Sequence, residues 1–418
     1  MVIIATTEGD SMRLLKVKVD GAELFKNCLF ELDFIATDRV PRDDEGNISD
    51  VTPVCEKSSV YTENVIGMVG VNASGKTTAL NIIRFILGYM SGPYLMRRFT
   101  PKDDKLGRMA PHLSISCVFY ERDSFYLIES ELALIDADST GTAPIGERGF
   151  DSYAFANEQL WKYSSAQISR KTILDIDAFR DKSTLLMRRN GPTNDPTVLD
   201  EAKRTFLGDD VSIVSIVTGK KTVQVDSLKR TLPLMSLPTP IVQAFDPSVE
   251  YLNWNAENQV FHLKFKNESL ERVVNPTVAS YVLSNGTILG AELVNRAISA
   301  LKSGGYLIVD EMETGLNRSL VGTVIGLFAS PVTNPHGAVL LFSTHYPELL
   351  DGLKRKDNVY LLVRNESFDT EVVKYSDRIG RIENKKSDVV INNVIKGSMP
   401  RYPDVQAMRS YVCEHVNE

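Results

Sequence analysis

The sequence predicts an α/β protein: a mixed sheet with an antiparallel edge and helices on both faces, with an inserted, mainly helical lobe. Two observations support this prediction. Between residues 246 and 365, short apolar segments alternate with helical segments, which is typical of a parallel sheet covered on both faces. Residues 13–35 instead contain two runs that alternate apolar and polar side chains, as antiparallel strands do.

The elements follow in chain order from these patterns. After the strand pair, residues 37–60 are rich in Asp, Pro, Ser and Gly, which predicts a loop. The remaining predicted strands lie at 64–69, 113–135 (a pair), 259–266, 306–309, 338–343 and 358–363. One predicted helix begins at Thr78, and two others cover residues 288–302 and 316–329. Three more are predicted near 154–162, 168–180 and 198–206.

Length and composition allow several domains with a substantial core. The chain has 418 residues, of which 43% are hydrophobic and 24% charged. We predict three units: residues 1–135 as one half of the core, 136–245 as the inserted helical lobe, and 246–418 as the other half. Because the formal net charge is −7, any nucleic-acid contact needs a local basic patch.

Cysteine usage and the absence of apolar runs indicate the compartment. The four cysteines are scattered, and none forms a C-x-x-C pair, which argues against a zinc site and a disulfide framework. The N-terminus lacks a basic segment and soon becomes acidic, so it is a poor signal peptide. No run of about 18 apolar residues occurs. We therefore expect a cytoplasmic protein that makes no membrane contact.

Residues 70–77 form a complete G-x-x-x-x-G-K-T phosphate-binding loop between a predicted strand and a predicted helix. The glycines let backbone N–H groups surround a polyphosphate, whose β- and γ-phosphates Lys76 would reach. Thr77 would offer its hydroxyl to Mg²⁺. The predicted nucleotide contacts of this loop are Gly70, Asn72, Ala73, Ser74, Gly75, Lys76, Thr77 and Thr78.

Two later strands end in side chains suited to phosphate chemistry. Asp310 and Glu311 follow the strand at 306–309, and the carboxyl edge of a parallel sheet is where ligands bind. Asp310 would face Thr77 and hold Mg²⁺, and Glu311 would orient or deprotonate an attacking water. His345 follows the strand at 338–343 and could donate a hydrogen bond to the γ-phosphate. The predicted catalytic residues are thus Glu311, His345 and Lys76, and the metal ligands Thr77 and Asp310.

A further motif, Leu-Ser-Asn-Gly-Thr at residues 283–287, precedes the helix at 288–302. Ser284 can cap this helix, and Gly286 lets backbone N–H groups approach an anion. An ordinary helix cap is an equally good interpretation of this motif taken alone.

Paired basic residues recur in the segment 136–245. They fit either a solvated face or a local nucleic-acid contact. The pairs are Arg170-Lys171, Arg188-Arg189, Lys220-Lys221 and Lys229-Arg230.

These motifs, in this order, resemble those of the ATP-binding cassette superfamily over residues 13–90 and 246–365. The matches are residues 70–78 to the Walker A loop, 283–287 to the signature motif, Asp310 and Glu311 to the Walker B acids, 315–317 to the D-loop, and His345 to the switch histidine.

The resemblance implies that the chain binds ATP and Mg²⁺ and hydrolyses ATP. In that family two subunits sandwich two ATP molecules head to tail, so Ser284, Gly286 and Asn317 would act on the nucleotide of a second copy. The Q-loop position stays unassigned, because no glutamine lies between Thr77 and Gln159. The sequence also shows no sustained heptads, so it does not resemble the coiled-coil SMC branch.

Within the superfamily, the chain is most similar to RecF-like, overcoming-lysogenization-like ATPases of bacterial anti-phage defence, including those of abortive-infection, Septu and PARIS systems. The similarity rests on Asp-Pro-Ser-Val at 246–249, L-S-x-G-T, D-E-x-E-x-G-L at 310–316, the segment 343–351 and the tail from 378. It implies a homo-oligomeric ATPase that controls a protein effector, a nuclease or toxin encoded nearby. After His345 there is no Asp-x-Asp pair that would serve a nuclease within the chain.

The alternative is a RecF-like or SMC-like DNA-binding ATPase of repair or replication, suggested by the basic pairs. The acidic overall charge favours the defence ATPase.

Overall fold

The computed structural model describes residues 12–42, 48–56, 58–90, 109–135, 152–192, 195–218, 225–227, 232–380 and 385–416. The strands are β1 (Arg13–Asp20), β2 (Leu29–Asp33), β3 (Val51–Pro53), β4 (Tyr61–Glu63), β5 (Val65–Val69), β6 (His112–Glu121), β7 (Ser124–Ile135), β8 (Ser152–Tyr163), β9 (Ser183–Arg188), β10 (Val225–Ser227), β11 (Val249–Asn255), β12 (Val260–Phe265), β13 (Arg272–Val274), β14 (Tyr306–Val309), β15 (Val339–Thr344), β16 (Val359–Arg364) and β17 (Thr370–Lys374). The helices are α1 (Lys76–Met90), α2 (Arg170–Leu174), α3 (Ile176–Asp181), α4 (Glu201–Leu207), α5 (Val214–Thr218), α6 (Thr239–Phe245), α7 (Pro276–Val282), α8 (Asn285–Ser303), α9 (Arg318–Ala329), α10 (Tyr375–Arg378), α11 (Lys386–Ile391) and α12 (Tyr402–His415).

A mainly parallel sheet carries the carboxyl-end motifs. Its strand order is β10-β14-β15-β5-β16-β17, and only the edge strand β17 runs antiparallel to its neighbour. β5, β14 and β15 are buried along their whole length, as expected for strands covered on both faces. The predicted α/β class and the alternation of strands and helices in the second half are confirmed.

A second, antiparallel sheet packs against the first through helix α1. Its order is β2-β1-β6-β7-β8-β9, so the strand pairs predicted at 13–35 and 113–135 are confirmed. Ile66 and Met68 of β5 share a core with α1 and this antiparallel sheet, whereas Val65 and Val69 share another with α8 and α9. α1 is buried almost all round, which fits a helix held between two layers.

The predicted helix at 154–162 is wrong, because these residues belong to strand β8. β8 pairs with β7 and β9 and extends the antiparallel sheet. Glu158 on β8 is fully buried, and its Oε2 accepts a hydrogen bond from Arg189 Nη2 at 2.7 Å. Pairing and burial in the sheet override the helix propensity of the local Ala, Glu, Gln and Leu.

The described part of residues 136–245 contains both helices, α2 to α6, and strands, β8 to β10. Its longest described element, β8, and the shorter β9 are strands of the antiparallel sheet, and its helices α2 to α6 have five to seven residues each. Helices α2 and α3 overlap the predicted helix at 168–180, and α4 overlaps the predicted helix at 198–206. The three-unit division of the chain itself stays a prediction.

A small antiparallel sheet, β11-β12-β13, covers the start of α8 together with α6 and α7. α6 packs closely on α8 at Gly290, where a Cβ atom would lie 2.1 Å from the ring of Phe245. In the described residues no helix has the length and apolarity that crossing a bilayer requires.

A buried charge cluster joins segments that precede strands β5 and β16 of the parallel sheet. Arg355 donates to Glu63 Oε1 at 3.2 Å and to Asp357 Oδ2 at 2.5 Å. Asp357 also accepts the backbone N–H groups of Thr37 and Asp38, at 2.8 and 2.7 Å. Burial and the charge of Asp357 raise the pKa of Glu63 well above its usual range. Burial opposes ionisation of Asp357 as well, but its hydrogen bond to Arg355, the charge of Arg355 and a backbone N–H hold its pKa below the usual value.

We expect Glu63→Gln to become more stable relative to the wild type as the pH rises. Since the folded state binds a proton at Glu63 more tightly than the unfolded state, this site stabilises the fold fully below its ordinary pKa of 4.5, and that contribution is lost as the pH rises. The measurement is the free energy of urea unfolding of both proteins between about pH 4.5 and 8. Asp357 itself should contribute no slope over this range, because a pKa held below its ordinary value of 3.8 gives a stabilisation that is complete above that value and is lost only at lower pH. A Glu63→Gln difference that is constant over this range would contradict the expectation.

Candidate functional site

The loop from β5 to α1 is folded around its own lysine. Lys76 Nζ donates to the carbonyl oxygens of Gly70 at 2.8 Å and Val71 at 3.0 Å. Ala73 and Gly75 have φ angles of 59° and 91°, in the left-handed region that lets successive N–H groups turn toward one side. The predicted loop residues are thereby wrapped into one concave turn.

Two side chains of the β16–β17 hairpin hold the outside of this loop. Arg364 Nε donates to the carbonyl oxygen of Ala73 at 3.1 Å, and Thr370 Oγ1 donates to that of Ser74 at 2.9 Å. Because protein donors engage these carbonyl groups, the N–H groups are what the loop can offer to an anion.

Thr77 and Asp310 meet at the carboxyl edge of the parallel sheet. Thr77 Oγ1 donates to Asp310 Oδ2 at 2.6 Å, and Ser343 Oγ donates to Asp310 Oδ1. Asp310 follows β14, Ser343 lies near the end of β15, and Thr77 follows the loop after β5. These are neighbouring strands whose ends lie at one edge. The structure thus brings the two predicted metal ligands into contact.

Glu311 and His345 lie beside this pair. Glu311 has a φ of 50°, an unfavourable conformation for a non-glycine residue, and its N–H donates to Ser343 Oγ at 2.8 Å. His345 Nε2 is 3.6 Å from Glu311 Oε1, and His345 Nδ1 is 3.5 Å from Lys76 Nζ. The imidazole therefore lies between the predicted base and the lysine.

These groups line one cavity of about 350 Å³. Burial lowers the pKa of Lys76, while the charges of Asp310, Glu313 and Glu311 act in the opposite direction. Anionic ligand atoms near the ammonium would add to this stabilisation of the charged form. The lining consists of Leu24, Asn72, Ala73, Ser74, Gly75, Lys76, Thr77, Thr78, Asp310, Glu311 and His345.

The donor set fits Mg²⁺ bound together with a phosphate ligand. The described residues contain no group of three or more His, Cys, Asp or Glu side chains that could hold a metal ion alone. Mg²⁺ does not need such a group, because it usually takes one or two carboxylates, waters and substrate phosphates. The touching hydroxyl and carboxylate of Thr77 and Asp310 supply this minimal set.

Four predicted nucleotide contacts do not line this cavity: Gly70, whose carbonyl oxygen accepts from Lys76, and the three residues outside the loop, Ser284, Gly286 and Asn317. Ser284 caps α8 and is exposed, and Asn317 caps α9 and is exposed. Gly286 lies against the turn before α9, where its Cβ would be 2.9 Å from the carbonyl oxygen of Gly315. The signature-like turn and the turn before α9 thus adjoin each other, but neither borders the phosphate loop of its own chain.

Sequence reasoning assigned no role to three residues that shape the site. Ser343 connects Asp310 with the Glu311 backbone, Glu313 accepts the His345 N–H, and Leu24 lines the cavity. For Ser343 a signal existed, because it ends the strand adjacent to the one that carries the acids. Leu24 belongs to the β1–β2 connection, and no local pattern links that connection to the loop.

The described basic pairs are largely engaged within the chain. Arg189 is buried against Glu158, and Arg188 forms an ion pair with Asp195. Arg170 donates to the carbonyl oxygen of Thr37 at 2.6 Å. The pairs at 220–221 and 229–230 lie outside the described residues.

Comparison with protein families finds none that matches the sequence, and no curated protein matches it significantly. The case for the site's chemistry therefore rests on its residues and their geometry.

Gly70→Ala tests the tight packing of the loop. A Cβ at Gly70 would lie 2.4 Å from the Leu362 carbonyl oxygen and 2.6 Å from Ser74 Oγ, so the backbone must move. We expect a loss of about 1–3 kcal/mol in the free energy of urea unfolding, as for an overpacked interior. The matched control is Gly322→Ala at an exposed position of α9, where a Cβ meets nothing within 4 Å and should stabilise by up to about 1 kcal/mol. Equal stability of the two variants would contradict the packing argument.

Proposed function

We propose that this chain is an ATPase of the ATP-binding cassette type, which binds ATP with Mg²⁺ and hydrolyses it. One observation carries the proposal. A single cavity combines the lysine loop, the contact of Thr77 with Asp310, and the neighbouring Glu311 and His345. The order of the motifs along the chain supports the same class.

Binding would exchange contacts that the lysine already makes. The Lys76 ammonium, which donates to Gly70 and Val71, would turn toward the β- and γ-phosphates, and the loop N–H groups would surround them. Mg²⁺, held through Thr77 and Asp310, would neutralise phosphate charge during the transfer.

Hydrolysis needs a group that orients or deprotonates the attacking water. Glu311 is suited to this role, because its side chain is 42% exposed at the cavity while its backbone is fixed by Ser343. The His345 imidazole, between Glu311 and Lys76, would donate to the γ-phosphate oxygen and distinguish ATP from ADP.

The second half of the site would come from another copy. Ser284 and Asn317 are exposed at the starts of α8 and α9, where helix N-termini favour anions. Facing the loop of a second chain, Ser284 and Gly286 would contact the γ-phosphate and close an ATP sandwich. ADP lacks these contacts, so ATP would hold the dimer and hydrolysis would release it.

Two variants separate binding from turnover. Lys76→Ala should abolish ATP binding, because the cavity loses its cation. Glu311→Gln should bind ATP normally, lower kcat by about 10²–10⁴-fold and accumulate as an ATP-bound dimer. Isothermal titration, phosphate release and light scattering measure the three properties. Turnover by Glu311→Gln at the parental rate would exclude Glu311 as the base.

Ser284→Asp tests the shared site. Aspartate still caps α8, so the helix remains stable, but its charge would face the triphosphate of the second copy. We expect ATP affinity of the monomer to stay unchanged while ATP-dependent dimerisation and turnover are lost. Ser269→Asp, in the exposed β12–β13 turn, is the matched control and should dimerise normally. ATP-dependent dimers of Ser284→Asp would argue against the sandwich.

As a further part of this proposal, the ATPase controls a nuclease or toxin effector in bacterial anti-phage defence. The resemblance of the motifs and of the tail from residue 378 supports this role. Co-purification of an adjacent gene product, and higher phage plating after deletion, would test it. The DNA-binding alternative loses one of its motivating features, since the Arg188-Arg189 pair is committed to internal ion pairs. Tight, salt-dependent binding of duplex DNA would still favour that alternative.

A further inference from the structure

The acidic turn after β14 and the end of β15 are joined by successive hydrogen bonds. The N–H of Glu311 donates to Ser343 Oγ at 2.8 Å, and the N–H of Met312 donates to the Ser343 carbonyl oxygen at 3.0 Å. The next link runs the other way, because the N–H of His345 donates to Glu313 Oε1 at 2.7 Å. Glu313 thus connects the turn of the proposed base with the proposed γ-phosphate sensor.

The placement of Glu313 is unusual for a side chain outside the cavity lining. Its Oε2 is buried and has no hydrogen-bond partner among the described residues, so the carboxylate makes its contact through Oε1 alone. A buried carboxylate oxygen without a partner is costly, so its presence beside the site calls for an explanation.

The contact acts on a residue whose ring position matters. The His345 imidazole lies 3.6 Å from Glu311 Oε1 and 3.5 Å from Lys76 Nζ, with the ring only partly buried. The His345 side chain is 31% exposed, and where the ring can lie depends on the backbone at residue 345. That backbone leaves β15 through Thr344 and is fixed at its N–H by Glu313.

We infer that Glu313 is a positioning residue for ATP hydrolysis: its carboxylate oxygen fixes the His345 backbone so that the imidazole sits between Glu311 and Lys76. This inference rests on the proposed ATPase function and refines it. Among the described residues Glu313 forms no hydrogen bond with Thr77 or Asp310, the proposed metal ligands. Its charge also acts on Lys76, but the inferred role is that of its contact with His345.

Two neutral variants with side chains of similar length separate the loss of the hydrogen-bond acceptor from the loss of the negative charge. Glu313→Gln keeps an oxygen that can accept the His345 N–H, whereas Glu313→Met does not. We expect Glu313→Met to lower kcat by about 10–100-fold with KM changed less than threefold, because a small misplacement of a catalytic group has effects of this size. Glu313→Gln should retain kcat within about threefold of the wild type. Glu366→Gln, in the exposed β16–β17 turn, is the control for loss of a carboxylate and should match the wild type.

A double-mutant cycle with His345→Ala distinguishes positioning from general support of the fold. If Glu313 acts through His345, Glu313→Met should cause little further loss of kcat in the His345→Ala background. Additive losses, a Glu313→Met enzyme with wild-type kcat, or a Glu313→Gln enzyme as slow as Glu313→Met would each overturn the inference. Should Glu313→Met not fold by circular dichroism, Glu313→Ala takes its place in the cycle.

The wild type and Lys76→Ala are assayed beside these variants, so that the proposed ATPase function and the role of Glu313 are tested separately. A wild type without ATP turnover refutes the proposed function and this inference with it. A wild type that turns over ATP, with Glu313→Met equally active, refutes only the role of Glu313.

Discussion

The register of three neighbouring parallel strands, whose ends lie within two residues of one another, is the constraint on which the site depends. β15 pairs with β5 on one side, with Thr344 opposite Val69, and with β14 on the other, with Phe342 opposite Val309. The loop, the acidic turn and the histidine therefore leave the sheet at one edge. Because each strand is buried on both faces, a slip of one residue would exchange the side chains of two hydrophobic cores. The hydrophobic layers thus fix the spacing of the polar groups.

A second layer of support comes from the elements packed around the loop and the acidic turn. Helix α1 begins at Lys76 and is packed between the two sheets, so the loop is anchored at its exit by a rigid, buried element. The β16–β17 hairpin holds the loop carbonyls, and Ser343 holds the strained backbone of Glu311. The left-handed φ of Glu311 costs of order 1–3 kcal/mol, which these contacts must offset.

The sequence predicted most of the parallel half, because its information is local. Continuous apolar runs and the residues that follow them indicated β5, β14 and β15, and hence the edge at which Thr77, Asp310 and His345 meet. β8 could not be predicted in the same way. Its buried Glu158 interrupts the apolar pattern, and the burial is explained by partners distant in the chain, Arg189, Ser212 and Ile213. The roles of Leu24 and Glu313 likewise depend on contacts between segments far apart in the chain.

In the proposed dimer, the close approach of Gly286 to the carbonyl of Gly315 would couple the two nucleotide sites. Gly315 belongs to the turn that starts at Glu311, within the chain's own site, whereas Gly286 belongs to the turn that would close the site of a second copy. In the proposed dimer, a shift of the acidic turn at one site would move the signature-like turn that closes the other site. The two sites would then form a single cooperative unit, with sigmoidal dependence of turnover on ATP concentration and a Hill coefficient above one.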